Sequence, residues 1–232
     1  MFTTRRVLKN LSLLSVISVL LFLFSVIASA QTCDDNMTSY WKLVEDGNTI
    51  DYVDSVGGNS AYCLTDCPAP SITGITNING SQEFDGVDDE VIADADGTFD
   101  WGLSESFSIE FWINTSGSTA GNRVFVGRDD PSTDLHWWVG AAANGKVRFQ
   151  LQDTSGNGIN TNKVTDGGPA LNDGLWHHIV AVRNETGDLN SIYVDAMLVD
   201  STSYDYLAGF DSSTELNMGH LNSQYRYNGI LD

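Results

Sequence analysis

From Phe107 to Asn114 the chain alternates without a break. Phe107, Ile109, Phe111 and Ile113 fall on one side; Ser108, Glu110, Trp112 and Asn114 fall on the other. Period-two alternation is the geometry of a β-strand, whose successive side chains leave opposite faces. A helix would split the four large apolar groups into two pairs on opposite sides, Phe107 with Phe111 and Ile109 with Ile113. One face of this strand therefore demands a core and the other tolerates water, the pattern of a central strand in an antiparallel sheet.

The rest of the chain repeats this shorter-wavelength pattern. Strands are predicted over residues 39–45, 87–93, 123–127, 135–141, 146–152, 175–183, 191–199, 216–220 and 225–231. Asn144-Gly145 and Asp85-Gly86 are read as tight hairpin turns. Residues 46–59, 61–81, 153–174 and 201–213, rich in Gly, Asn, Asp, Ser and Thr, are predicted to be loops. After residue 30 no stretch holds a 3.6-residue period over two turns. Short strands with turn signals between them predict an all-β fold: an antiparallel two-sheet sandwich or jelly roll.

Residues 1–30 have a different character. Arg5, Arg6 and Lys9 precede an apolar run from Leu11 to Ile27, and Ala28-Ser29-Ala30 supplies small residues for cleavage. This is the composition of a secretory signal peptide. The predicted organisation is a signal at 1–30, a flexible lead-in at 31–38 and one domain over 39–232, secreted or at the cell surface, with no membrane segment after cleavage. The chain carries a formal net charge of −20. Cleavage removes three basic residues and no acid, so the mature protein is more acidic still. Such a surface excludes nucleic acid as a partner, because phosphate binding needs clustered Lys and Arg. Of the three cysteines, Cys63 and Cys67 are predicted to pair in an oxidising compartment; Cys33 is left over. His177 and His178 are consecutive on a strand, face opposite sides and cannot chelate one metal together.

The outward positions suggest a partner. Trp112, Arg128, His136, Trp138, Arg148 and Gln150 are assigned to the outward face of adjacent strands, where aromatic planes and a few polar groups would receive a sugar ring. In His136-Trp137-Trp138, a regular strand cannot bury both tryptophans in one core.

Several landmarks recur in order: Tyr40-Trp41-Lys42-Leu43-Val44-Glu45, Asp54-Ser55-Val56-Gly57-Gly58-Asn59, Phe84-Asp85-Gly86-Val87-Asp88-Asp89, Ser106-Phe107-Ser108-Ile109-Glu110-Phe111-Trp112-Ile113, Leu175-Trp176-His177-His178-Ile179-Val180-Ala181-Val182, Ile192-Tyr193-Val194-Asp195 and Tyr227-Asn228-Gly229-Ile230-Leu231-Asp232. From about residue 39 onward this string resembles the laminin G-like, concanavalin A-like jelly-roll domains of secreted bacterial proteins. The resemblance implies a non-catalytic module that binds a polysaccharide, another glycan or a cell-surface protein as part of a larger extracellular protein. It also implies a structural Ca²⁺ held by Asp54, Asn59 and Asp232, oxygen ligands of the kind calcium prefers. Two positions depart from the pattern. Ala196 stands where the family has Gly, and the family continues past the closing Asp with a further strand, so Asp232 is expected to precede one. Glu83-Phe84-Asp85-Gly86-Val87-Asp88 is similar to the E-x-D-x-x-E strand of jelly-roll laminarinases, which makes a glycoside hydrolase, or an accessory domain of one, the alternative. A structural spacer without ligand is the third reading.

Overall fold

The computed structural model describes residues 36–47, 50–71, 80–117, 121–159 and 168–232. The predicted signal peptide and Cys33 lie outside these residues. All strands belong to the unit Met37–Asp232. In chain order they are β1 (Asp51–Tyr52), β2 (Ala61–Tyr62), β3 (Ala69–Ser71), β4 (Ser81–Asp85), β5 (Val91–Ala93), β6 (Phe107–Asn114), β7 (Arg123–Asp130) and β8 (Leu135–Ala141). They continue with β9 (Val147–Gln152), β10 (Gly158–Ile159), β11 (Trp176–Asn184), β12 (Leu189–Val194), β13 (Met197–Ser203), β14 (Leu216–Met218) and β15 (Asn228–Leu231). Every pairing is antiparallel. Two sheets result. One has eight strands in the order β1-β2-β5-β14-β7-β8-β9-β10, and the other has seven in the order β13-β12-β11-β6-β15-β4-β3. No helix among the described residues is long and apolar enough to cross a membrane.

The alternating segment Phe107–Asn114 is β6, the fourth of seven strands in its sheet. Phe107, Phe111 and Ile113 are buried and Ile109 packs beside them, while Ser108 and Glu110 are exposed. Facing them across the sandwich are Phe125, Trp137, Val139, Phe149 and Leu151. Phe111 and Phe125 meet edge to face at 5.7 Å, and Phe125 meets Tyr227 at 4.9 Å. Trp101 stacks on Phe107 at 3.7 Å and closes one end of this core. Burial of these apolar and aromatic faces is what holds the two sheets together.

Several predicted elements differ. The first predicted strand, 39–45, contributes only the isolated bridge Trp41–Asp54. Leu43 has φ 52°, a left-handed conformation that breaks a strand. The predicted loops 46–59 and 61–81 contain β1, β2 and β3, each of two or three residues and too short to show a period. Pro70 is tolerated in β3 because that strand is an edge. Asp85-Gly86 does not close a hairpin: β4 belongs to the seven-stranded sheet and β5 to the eight-stranded one. The Asp85 carboxylate instead accepts the N–H groups of Val87 and Asp88 at 2.7 and 3.4 Å and turns the chain across.

The predicted strand 191–199 is a hairpin of β12 and β13, turning at Asp195 (φ 52°) and Ala196 (φ 64°). The turn that glycine would favour is thus kept, with alanine in the left-handed region. That conformation costs a non-glycine residue about 1–2 kcal/mol, part of which glycine's greater unfolded-state freedom offsets. Ala196→Gly is expected to stabilise the domain by about 0.5–1 kcal/mol, read as a higher urea midpoint at unchanged slope.

Candidate functional site

β6 lies between β11 and β15, and register places their outward residues side by side. His178 is opposite Trp112 on one flank. On the other, Trp112 and Asp232 exchange backbone hydrogen bonds of 2.6 and 3.0 Å, so Asp232 is the cross-strand neighbour of the tryptophan. His178 and Trp112 rings sit 4.7 Å apart, tilted by 34°. The outer nitrogen of His178 is 2.9 Å from Glu110 Oε1, with Glu110 two residues along the same strand as Trp112 and its side chain 64% exposed. Trp176 stands two residues before His178, on the same face by alternation and half-buried. The centre of the outer face of the seven-stranded sheet is therefore two half-exposed indoles around an imidazole, with carboxylates beside them. Asp232 Oδ2 is shielded from solvent and has no hydrogen-bond partner among the described residues. That burial pushes the carboxyl up to about 6.

The residues predicted to form one binding face are divided. Trp112 is on the seven-stranded sheet; His136, Trp138, Arg148 and Gln150 are on the outer face of the eight-stranded one, and Arg128 is on neither surface. β7 carries a bulge between Val124 and Val126, which shifts its alternation by one residue. Arg128 consequently points inward and is 1% exposed. Its guanidinium pairs with Asp100 Oδ1 at 2.8 Å and donates to the carbonyls of Phe99, Ser212 and Thr214 at 2.9–3.0 Å. It is a clamp on two loops. Trp138 does point outward, across from Gly127, but Val124 and Leu221 cover it and leave it 3% exposed. Arg148 lies over its ring at 5.9 Å. His136 is held by Asp129 at 2.7 Å, and Asp129 also accepts Asn222. This face is a closed structural layer rather than an open platform.

The calcium set fares similarly. Asp54 Oδ1 accepts the N–H groups of Tyr40, Val56 and Gly57 at 2.9, 2.9 and 3.0 Å, and Oδ2 accepts Asn59 N–H at 3.0 Å. Burial alone would raise the Asp54 carboxyl, but these four amides outweigh it and hold the group below the usual carboxylate range. Four donors fill the lone-pair sites of a carboxylate. Asn59 donates its side-chain amide to Ser39 Oγ, and its backbone carbonyl accepts the Trp41 indole N–H. Asp232 stands on the outer face of the other sheet. The three residues as arranged do not fit a calcium shell. Among the described residues, the group of carboxylates that could share an ion is Asp85, Asp88 and Asp89, with oxygens within 4.8 Å of one another. Its oxygens accept backbone N–H groups of the same turn. Asp85 is thereby engaged as a turn residue, which separates it from the role its place in the laminarinase-like string implies.

The histidine pair divides as alternation requires. His177 is buried between Asp195 at 2.8 Å and Asp173 at 3.1 Å, whereas His178 faces out. Cys63 and Cys67 are bonded. Sequence reasoning did place Glu110 and Trp112 on one outward face. It left out His178 and Trp176 because their neighbours depend on the β6–β11 register, which no local pattern encodes.

Two stacked antiparallel sheets, with short strands and an aromatic-bearing sheet face, define a jelly-roll sandwich of the lectin type. The sequence profile of the Concanavalin A-like lectin/glucanases superfamily, in its laminin G form, matches residues 74–232. The chain belongs to that family. Among solved structures it is similar to the binding domain of Paraclostridial Mosquitocidal Protein 1 (16% identity, 84% of this chain and 46% of that chain, TM-score 0.62). It is also similar to domain 4 of AbnA, a GH43 extracellular arabinanase from Geobacillus stearothermophilus, in complex with arabinotriose (14%, 84% and 91%, TM-score 0.57). A third is the mouse laminin alpha1 chain, domains LG4-5 (14%, 72% and 44%, TM-score 0.50). The chain spans about half the length of the toxin and laminin structures. At these identities the likeness speaks to fold alone. A search of curated proteins found no match.

Proposed function

We propose that this chain is a non-catalytic glycan-binding module of a secreted or cell-surface protein, and that the outer face of the seven-stranded sheet around Trp112 is its binding surface. The observation that carries this reading is the row His178–Trp112–Asp232, an aromatic plane left half-open on a regular sheet and flanked by hydrogen-bonding groups. Sugar rings stack on such planes while a few polar groups fix their orientation. Membership in a lectin and glucanase superfamily supports it, as does likeness to toxin binding domains and to an arabinanase domain crystallised with arabinotriose. The signal-like residues 1–30 and the Cys63–Cys67 disulfide support an extracellular setting.

The test is affinity electrophoresis of the protein in gels containing one of a panel of polysaccharides. At least one is expected to retard it, and Trp112→Ala is expected to weaken that retardation at least about tenfold with the melting transition retained. Release of reducing ends on prolonged incubation would favour the hydrolase reading. Failure of every polysaccharide to bind would leave the spacer.

A further inference from the structure

The strands of the seven-stranded sheet contain no lysine and one arginine, Arg183. Arg183 points inward, 1% exposed, with its guanidinium over the rings of Tyr206 and Phe210 at 4.6 and 5.7 Å. No strand residue of this sheet therefore brings a cationic Lys or Arg side chain to its outer face. The same face carries Glu83 and Asp85 on β4, Glu110 on β6 and Asp232 after β15, the first three exposed. The arginines of β7 and β9, Arg123, Arg128 and Arg148, all lie in the opposite sheet. Accessible strand arginines are thus confined to one sheet, while acids stand on both, with Asp51, Asp129 and Asp130 in the eight-stranded one.

An indole beside the exposed Glu110 carboxylate, with the Asp232 carboxyl on its other flank, is a setting for an ammonium group. The ring face attracts a cation by its quadrupole, and the carboxylates supply the counter-charge. An anionic polymer would instead meet Glu83, Asp85 and Glu110 with no strand Lys or Arg to pair it. Resting on the reading of this face as a glycan site, we infer that its preferred ligand is a polysaccharide bearing free amines, a polymer of glucosamine type, with neutral sugars binding more weakly and uronate or sulfate polymers excluded.

Titration calorimetry of the full chain, near neutral pH and at low salt, with a glucosamine hexamer, an N-acetylglucosamine hexamer, an oligogalacturonate and a lysine-rich peptide tests this. The glucosamine hexamer is expected to bind about tenfold more tightly than its acetylated counterpart. That advantage is expected to shrink to less than about threefold in Glu110→Gln or in about 1 M salt, where the screening length is about 3 Å. Trp112→Ala should lose both hexamers. Glu110 is exposed and Gln is isosteric, so its melting transition should be unchanged and the comparison stays clean. Equal affinity for the two hexamers, or tighter binding of the oligogalacturonate, overturns the amine preference while leaving a glycan module. Binding of the lysine-rich peptide with none of the three oligosaccharides overturns both readings in favour of a protein partner. No binding by any of the four overturns the amine preference, and the polysaccharide panel then decides whether a glycan module stands.

Discussion

Arg128→Met is expected to destabilise the domain by about 3–5 kcal/mol, the range found when one partner of a buried ion pair is removed. The wild-type guanidinium has each of its nitrogens engaged: Nη1 with Asp100 and Phe99, Nη2 with Ser212 and Thr214, and Nε with Thr214 again. Methionine fills the volume but leaves three carbonyls without this donor and Asp100 with only the Ser212 N–H at 3.0 Å among the described residues, and unsatisfied buried groups carry the full desolvation penalty. Lysine should recover only part of the loss, since a single ammonium cannot span carbonyls from two loops. Arg148→Met is the control. That side chain is half-buried over Trp138, and its removal should cost about 1 kcal/mol. Urea denaturation at pH 7 checks all three. A loss at Arg128 no larger than at Arg148 would show that the loops hold themselves.

Asp153→Ala should cost a similar amount, about 3–5 kcal/mol, through the loss of charge-assisted hydrogen bonds to a buried acceptor. Asp153 is fully buried. Its Oδ1 accepts the N–H groups of Ser155 and Asn157 and the Ser155 hydroxyl at 2.8–3.0 Å. Its Oδ2 accepts Leu207 and Ala208 N–H at 2.9 and 3.1 Å, from a loop more than fifty residues away. Burial by itself would raise the carboxyl; the five donors more than reverse it, and the group lies below its ordinary value of 3.8. A depressed folded pKa contributes stability that is present above the unfolded value and is lost as pH falls through the folded one. The gap between wild type and variant should therefore be full at pH 7 and shrink progressively below about 4. Asp130 titrates in the same sense. Hydroxyls of Ser132 and Ser212 and two backbone amides hold it down to about 2 against a smaller opposing effect of burial. A gap between wild type and Asp153→Ala that widened in acid would contradict this account.

Much of this architecture was legible from residue order. Alternation located β6 and β9 to within a residue or two, because each has one apolar and one polar face. Asn144-Gly145 did close the β8–β9 hairpin, with Gly145 at φ 79°. Three kinds of information were not local. Strands of two or three residues have no period. A bulge moves a residue from one face to the other without any mark in composition, and that is why Arg128 was placed on the surface. Sheet membership depends on long-range pairing, so Trp112 could be put on an outward face but not on the correct one of two. Asp54 illustrates a fourth limit, since a carboxylate in an Asp-Gly-Asn loop suits a cation and a set of backbone amides equally well.

The order of strands also dictates when the molecule can come together. β15 joins β6 to β4 in one sheet, and β14 joins β7 to β5 in the other. Both come from the segment 216–231, so neither sheet can be joined up before that segment is present. A nascent chain stopped short of Leu216 holds four unconnected ribbons with open edges, and assembly must await contacts between distant positions, which makes folding slow. The proposed export of the chain as a thread is compatible with such an arrangement, since the two sheets stay pliable until β14 and β15 arrive.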